Sequence, residues 1–555
     1  MYSQRASTSV ESDCKYGASN SPVPQIPKPT LQSFANIETD HQENEKSLYS
    51  STGCFGAALK HHNAIVQDVA SRVRDYASRG EPYRIFHGSS NSTRTRDSTN
   101  VLDISTLSHV LYINQEEQWA LVEPNVPMDR LVETTLRHNL VPPVVMEFPG
   151  ITAGGGFSGT SGESSTFRYG FFNETVIEAE IILGNGDIVR ASRDEREDLF
   201  RSAGGALGTL GIVTLMKLRL VEAKQFVYTR YTRLNSVSEA LESIQRTKDD
   251  PDVDYLDSML FSKQHAVVIS GQLTNNLPAD AEVQTFSDAA DPWFYMHVQE
   301  QTNSIAPGSV IEEYIPLAEY LFRYDRGAFW VGEQGYTYFK YIPFNSFFRW
   351  LLDDFSHTRT LYHALHCTGV SSQFVVQDVA VVYRNAEKMI DFISAELNIW
   401  PIWLCPLAPA RVPSFHPVLH GVDLGINSGS LSEPMLNIGI YGWGPSDADE
   451  FIAKNRAVEK ALSELGGRKW LYAHTFYTER EFWDVYDRAW YESLRLKYHG
   501  TSLPSVYDKV KPVQKEGKHW TQRVAEMWPI GGLYGMCRAI TSGDYRLHRE
   551  ARWKW

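Results

Sequence analysis

Residues 151–170, ITAGGGFSGTSGESSTFRYG, set six glycines and seven serines or threonines in one segment. Such a composition lets successive backbone N–H groups converge on an anion while hydroxyls add donors. As a string, Gly154-Gly155-Gly156-Phe157-Ser158-Gly159 satisfies G-x-G-x-x-G. That pattern marks a nicotinamide or flavin Rossmann site only between a strand and a helix, where the pyrophosphate rests on the helix N-terminus. Here the preceding HNLVPPVVMEFPG is broken by three prolines and the following segment is polar and then hairpin-like, so no helix is expected. A Walker A loop fails for want of Gly-Lys-Ser/Thr. A flexible linker would share the glycines, yet linkers seldom close on aromatics such as Phe167, Tyr169, Phe171 and Phe172. What remains is a phosphate cradle made by Thr152, Ala153, Gly154, Gly155, Gly156, Phe157, Ser158, Gly159, Thr160, Ser161, Gly162, Glu163 and Ser164. Each charge-assisted bond contributes about 1.5–3 kcal/mol, so about four or five hold a pyrophosphate without a lysine. Two companion turns accompany it: His87-Gly88-Ser89-Ser90-Asn91-Ser92 upstream, and Gly208 to Gly211-Ile212-Val213 downstream.

Strands and short helices must carry these turns. Ile65, Val69, Val73 and Tyr76 recur at helical spacing, and Gly80 stands where a helix would end. YRIFHG reads as a strand entering the first turn, LYINQEEQWALVEP as two strands, and PMDRLVETTLRHNL as a helix opened by Pro127. VIEAEIILGNGDIVRA is a hairpin around Asn185-Gly186, and Ile212 to Leu220 alternates as a strand. From about residue 226 the pattern becomes α+β: helices in VSEALESIQRTKDD, AEKMIDFISAELN and ADEFIAKNRAVEKALSEL alternate with strands in VDYLDSMLFS, HAVVISGQL, FVVQDVAVV, WPIWLCPL and MLNIGIYGW. A mixed sheet with helices on one face is expected. Residues 476–510 read as an aromatic-rich helical return. In 511–555, nine Lys or Arg stand against four Asp or Glu.

At 555 residues the protein is too long for one core. A net charge of −14 argues against nucleic acid as partner. The scattered cysteines (14, 54, 367, 405 and 537) lack CxxC spacing and read as reduced thiols of an intracellular protein, with no zinc site. The polar, Ser/Pro-rich residues 1–54 read as disordered, with no signal peptide or membrane span expected.

Three such turns on the strands of one domain resemble the FAD-binding domain of the vanillyl-alcohol-oxidase/PCMH-type flavoproteins. In that superfamily the first loop and the glycine stretch wrap the pyrophosphate, and GxxGIVT, here GTLGIVT at 208–214, lines the adenine side. RYDRGAFWVGEQ, FVVQDVAVV, IWPIWLCPL and EFWDVYDRAWYESLRLKYHGTSLPSVYDKV further resemble stretches of the Δ24-sterol reductases (Diminuto/seladin type), over roughly 55–510. The resemblance implies a PCMH-type two-subdomain FAD domain (55–225), a mixed-sheet substrate or cap domain (226–475), a C-terminal segment returning to the active site (476–510) and a tail (511–555). Two departures stand out: the family's N-terminal membrane segment has no equivalent here, and the tail has no recognised counterpart. Family members with covalent flavin place a His where this sequence has about Ser90, and His87 falls too early, so FAD is expected to be non-covalent.

The implied activity is reduction of a carbon–carbon double bond in the side chain of a sterol or related terpenoid, with NADPH recharging the flavin. An unactivated alkene then needs a positioned acid in an apolar, aromatic pocket. Glu333, Asp378, His474, Tyr477 and Glu481 are the candidates, with Arg326 as orienter, although each also fits an ion-paired or core role. Trp and Tyr among the basic residues of 511–555 suit a peripheral contact with the endoplasmic reticulum membrane, or equally a tail docked on the body. An oxidase, dehydrogenase or cyclase of a lipophilic metabolite, and a non-catalytic lipid-binding protein on a flavin scaffold, are the alternatives.

Overall fold

Apolar residues at helical spacing build the first element of the computed structural model, the helix Thr52–Arg79, which ends at Gly80 in the left-handed region (φ 62°). The structure describes residues 52–88, 100–339, 341–367, 373–411, 413–417, 433–473, 475–511 and 530–554. The first helix buries Val66, Val69, Ala70 and Val73 against Ile182 and Ile212. Its one buried imidazole, His62, is fixed between two carboxylates, Glu123 at 2.7 Å and Glu180 at 3.2 Å. Burial alone would lower the His62 pKa, but these two partners raise it to about 9.

Beneath that helix lies a five-stranded sheet in the order Val110–Asn114, Trp119–Val122, Ile212–Arg219, Val176–Ile182, Ile188–Ser192. The hairpin expected at Asn185-Gly186 joins its last two strands, with Gly186 at φ 84°. Glycine is required there twice over, since a Cβ would lie 2.7 Å from the carbonyl oxygen of Ala70 on the first helix. Arg84–Phe86 and Val101–Asp103 form a separate parallel pair that leads into and out of the first polar turn.

The second sheet has eight strands, ordered Val310–Pro316, Phe226–Leu234, His265–Thr274, Tyr255–Ser262, Ile402–Leu407, Met435–Trp443, Phe374–Val382, Arg468–Lys469. The α+β class holds, but the pairing expected to be mixed is antiparallel at every one of these junctions. The tight turn between Ser262 and His265 reverses the backbone directly, and the longer excursions also bring it back in the opposite sense.

Period-two alternation then decides what each face carries. Leu256, Leu260, Leu404, Val375, Val379, Val381, Leu436, Ile438 and Ile440 pack on one side with the helices Val237–Thr247, Tyr383–Glu396 and Ala448–Glu464. The intervening residues, among them Asp257, Trp403, Cys405, Phe374, Val376, Asp378, Asn437 and Tyr441, point to the opposite face. There the segment between Phe294 and Cys367 packs, in helices that include Phe294–Asn303, Val331–Phe339 and Thr358–Cys367. The helix Ile530–Ser542 lies against the last of these.

Candidate active site

The glycine stretch is more ordered than a loop. Ala153–Ser158 form a short helix with Thr152 as N-cap, whose Oγ1 accepts the Gly155 N–H at 3.1 Å. The flanking prolines do not prevent this turn, because the glycines themselves allow close packing: a Cβ on Gly154 would meet Pro124 at 2.6 Å, and one on Gly156 would meet the Met146 methyl at 2.4 Å. Many of the N–H groups expected to hold a phosphate are therefore bonded within the protein. Ala153 donates to Val126 O, Gly154 to Pro124 O, Gly156 to Thr152 O, Gly159 to Gly155 O, Ser161 to Gly156 O, and Glu163 to Thr166 Oγ1.

The N–H groups of Thr160, Gly162 and Ser164 have no acceptor among the described residues. Thr160 and Ser164 are buried, and a buried N–H without an acceptor is rare. An acceptor from outside the protein is what this geometry calls for. The third turn is bonded to the second: Gly205 N–H donates to Phe157 O and Leu207 N–H to Ser158 O. Gly205, Leu207, Gly208 and Gly211 all have positive φ. Gly208 also stands beside Ile85, on the strand entering the first turn. His87 and Gly88 therefore approach the same place, whereas Ser89, Ser90, Asn91 and Ser92 lie outside the described residues. Ile212 and Val213 are core residues of the five-stranded sheet. The C-terminal return and the end of the second sheet close over these turns: Trp470 Nε1 donates to Thr160 O at 3.0 Å, Tyr491 Oη to Thr209 Oγ1 at 2.8 Å, and Lys509 Nζ to Leu207 O at 2.7 Å.

Next to this assembly is a cavity of about 210 Å³. Its walls are apolar and aromatic, with Phe148, Phe329, Tyr338, Leu361, Trp443 and Met536 among them. Phe329 reaches it through an unusual backbone: Gly327, Ala328 and Phe329 all have positive φ (83°, 46° and 62°), a conformation held only where surrounding contacts enforce it. Arg326 supplies several of those contacts. Its guanidinium meets Asp353 at 2.8 Å and the carbonyl oxygens of Phe286, Ala289 and Asp291 at 3.2, 3.0 and 2.9 Å.

Acidic and phenolic groups gather at one part of the cavity wall. The buried Asp378 accepts from Asn437 Nδ2 at 3.0 Å, from Tyr441 Oη at 2.9 Å and from the Tyr472 hydroxyl. Burial raises its pKa, and these three donors oppose the rise. Tyr441, Tyr472, Tyr362 and Glu147 line the cavity itself. Glu147 Oε2 is enclosed with no hydrogen-bond partner among the described residues. Burial, reinforced by repulsion from Glu163 and Asp378, pushes the Glu147 carboxyl up to about 8. It is therefore mostly protonated at neutral pH. A second buried group underlies the first: Asp257 binds Arg323 at 3.0 Å, Tyr324 at 2.7 Å and Trp403 at 3.1 Å. The Cys405 thiol donates to the carbonyl oxygen of Glu163 at 3.1 Å.

Residues 64–192 match the family described as "FAD binding domain", the segment that holds the first two turns. The protein is 26% identical over 481 residues to the Δ24-sterol reductase of Homo sapiens, covering 82% of this chain and 87% of that one. The Δ24-sterol reductase of Arabidopsis thaliana is 28% identical over 510 residues, 85% of this chain and 88% of that one. Cytokinin dehydrogenase 9 of Oryza sativa matches over 125 residues alone, 21% of this chain and 24% of that one, at 31% identity. Residues 64–192 are thus similar to an FAD-binding domain, and most of the chain is similar to the Δ24-sterol reductases. The orphaned N–H groups of Thr160, Gly162 and Ser164 and the glycine surfaces around them suit the diphosphate of that cofactor.

Of the acids expected in the active site, the structure brings Asp378 to the cavity wall, through Tyr441 and Tyr472. Glu333 lies on the helix Val331–Phe339 that lines the cavity, but its carboxylate accepts from Tyr295 Oη at 2.7 Å. Glu481 closes a capping box with Thr478 and pairs with Arg456 at 2.9 Å, at the surface. Tyr477 is buried against Phe482 and its neighbours, away from the cavity lining. Arg326 braces the backbone behind Phe329 and does not face the cavity. His474 lies outside the described residues. Glu147, Tyr362, Tyr441 and Tyr472 are additions that the sequence reading misses. For Glu147 there is a signal in the sequence, a single carboxylate inside the apolar run VPPVVMEFPG.

Of the two readings of the tail, docking on the body holds for its last residues. His548 and Arg549 bind Asp354, Arg552 N–H donates to Glu133, Lys554 Nζ donates to Ser287 O at 3.1 Å, and Trp553 packs on Phe322. Residues 543–554 are thus docked on the body. Residues 512–529, with Trp520 and Trp528, lie outside the described residues. No helix of the described residues is long and apolar enough to cross a membrane.

Proposed function

We propose that the protein is an FAD-dependent reductase of a carbon–carbon double bond in the side chain of a sterol or related terpenoid, with dissociable FAD recharged by NADPH. One observation carries this reading: an apolar, aromatic cavity beside the glycine turns that holds the enclosed, unpartnered carboxyl oxygen of Glu147 on its wall. Bound and reduced, FAD supplies a hydride to one alkene carbon. Glu147 gives its proton to the other carbon, so that the two additions yield the saturated product and leave a carboxylate that water reprotonates. The apolar walls position the aliphatic substrate and exclude water. Asp378 holds Tyr441 and Tyr472 in place through their hydroxyls, and Arg326 fixes the turn that presents Phe329. The relatives' activity on sterols and the lipophilic cavity both support a lipophilic substrate drawn from a membrane.

The purified protein should be yellow and should release FAD on denaturation. Anaerobic NADPH should bleach it, and a Δ24-sterol should then restore the colour. Rapid reoxidation by oxygen without any response to the alkene would replace this reading with an oxidase, and a colourless protein unable to take up FAD would remove it.

A further inference from the structure

Eight of the twelve large apolar side chains exposed among the described residues fall in two segments, 341–351 and 530–540. Tyr341, Phe347, Trp350 and Leu351 stand out in the first, and Leu533 and Tyr534 in the second. Each is exposed by 46% or more. Exposed apolar residues scattered singly need no explanation, but a cluster does. The second segment touches the helix that leads into the first: a Cβ on Gly532 would lie 2.6 Å from the Tyr338 ring and 2.7 Å from the Phe339 ring. Both also line the cavity, the first through Ile342 and the second through Gly532, Met536 and Ala539. The helix Ile530–Ser542 is therefore apolar on two faces. Positions 532, 536 and 539 turn inward at helical spacing, and Leu533, Tyr534 and Ile540 turn to solvent.

Charge narrows the occupant of the outer face. The protein as a whole has a net charge of −14, yet 341–352 and 530–543 contain Arg349 and Arg538 and no acidic residue. Aromatic and aliphatic side chains mixed with cations alone fit the headgroup boundary of an anionic bilayer. We infer that this surface, at the apolar cavity, docks on an anionic lipid bilayer and sets the cavity against the membrane from which a lipophilic substrate partitions. The last clause rests on the proposed function; the docking does not. Within the tail expected at a membrane, it places the contact on the helix Ile530–Ser542, since His548, Arg549 and Lys554 are engaged with the body.

Flotation of the full-length, FAD-loaded protein with phosphatidylcholine vesicles, with and without phosphatidylserine, tests the inference. Wild type should bind the phosphatidylserine vesicles more tightly. Trp350→Ser with Leu533→Ser, neither of which lines the cavity, should weaken that binding roughly tenfold or more. Arg349→Glu with Arg538→Glu should remove the phosphatidylserine preference, as each arginine at an anionic surface is worth roughly fivefold in binding. Flavin absorbance and melting temperature verify that the variants fold. Unchanged vesicle binding in the apolar variant, or a wild type that ignores both vesicles, overturns the inference. So does a dimer in sedimentation that the apolar variant converts to monomer, since the face would then be covered by a second copy. Vesicle binding is read without turnover, so failure of alkene reduction and failure of docking are separate results.

Discussion

Replacing Glu147 by Gln should yield a protein that is more stable and far less active. The carboxyl is raised from 4.5 to about 8 by burial beside Glu163 and Asp378. A carboxyl whose folded pKa lies above its unfolded value costs nothing below pH 4.5. Its penalty then grows with pH and levels off above about 8. At pH 7 the difference spans about 2.5 pH units, and at 1.36 kcal/mol per unit the burden is at most roughly 3 kcal/mol. Glutamine fills the same space and never ionises, so Glu147→Gln should relieve most of that burden at pH 7, all of it above pH 8, and none near pH 4.5. Thermal melts of the FAD-loaded protein at about pH 5, 7 and 8.5 should show a gap that opens with pH. The same variant lacks a transferable proton. Its kcat for alkene reduction should fall about 10²–10⁴-fold, while FAD content and NADPH bleaching stay as in wild type. The wild-type rate should decline above pH 8 as the carboxyl empties, and the residual rate of the variant should not. A variant that is destabilised at neutral pH, or one with unchanged kcat and the same alkaline decline, would refute both the protonation state and the role.

Asp378→Asn places an amide where Tyr441, Tyr472 and Asn437 donate; stability should drop by about 1–3 kcal/mol, and kcat by tenfold or more, as read in denaturation and steady-state assays. Glu481→Gln, in contrast, keeps a residue that can close the capping box and loses only a surface ion pair. It should cost about 0.2–1 kcal/mol and leave kcat/KM within roughly twofold. His62→Gln tests the joint between the first helix and the five-stranded sheet. Its pKa is raised to about 9, so its stabilisation is full below pH 6.5 and is lost as pH rises through 9. The variant should trail wild type by up to roughly 3 kcal/mol at pH 6, and the gap should close above pH 9 in chemical denaturation.

Most helices are legible because their burial is one-sided, and the strands FVVQDVAVV and MLNIGIYGW because they are apolar, β-rich runs, although both of their faces are buried. In MLNIGIYGW the face holding Asn437 and Tyr441 follows from the helix-facing Leu436, Ile438 and Ile440. The region 286–367 is not legible. Its helices pack on the sheet on one side and around a cavity on another, so aromatics occur all round them and no period survives. The acids mislead for a similar reason: Glu481 in TEREFW and Glu333 in VGEQ look alike as strings, and only packing shows that one caps a helix while the other accepts from Tyr295. Glu147 escapes notice because VVMEFPG reads, as a string, only as the lead-in to the glycines.

That lead-in gives the site its logic. Glu147 and the orphaned N–H groups of Thr160, Gly162 and Ser164 belong to one short run of backbone, whose glycines pack directly on Met146, Pro124 and Phe172. Shifting the acid by an ångström would require shifting the cofactor cradle with it. Proton and hydride delivery would thus be registered by a single rigid segment. The cavity walls, drawn from 328–362, the sheet and the helix Ile530–Ser542, are free to change with the shape of the substrate. A substitution in the first set should lower kcat for every substrate alike, whereas one in the second, such as Ala539→Phe, should raise KM most for the bulkiest. Equal loss for small and large alkenes after Ala539→Phe would show that the two sets are not separable, and that the tail helix holds the acid as well as the substrate.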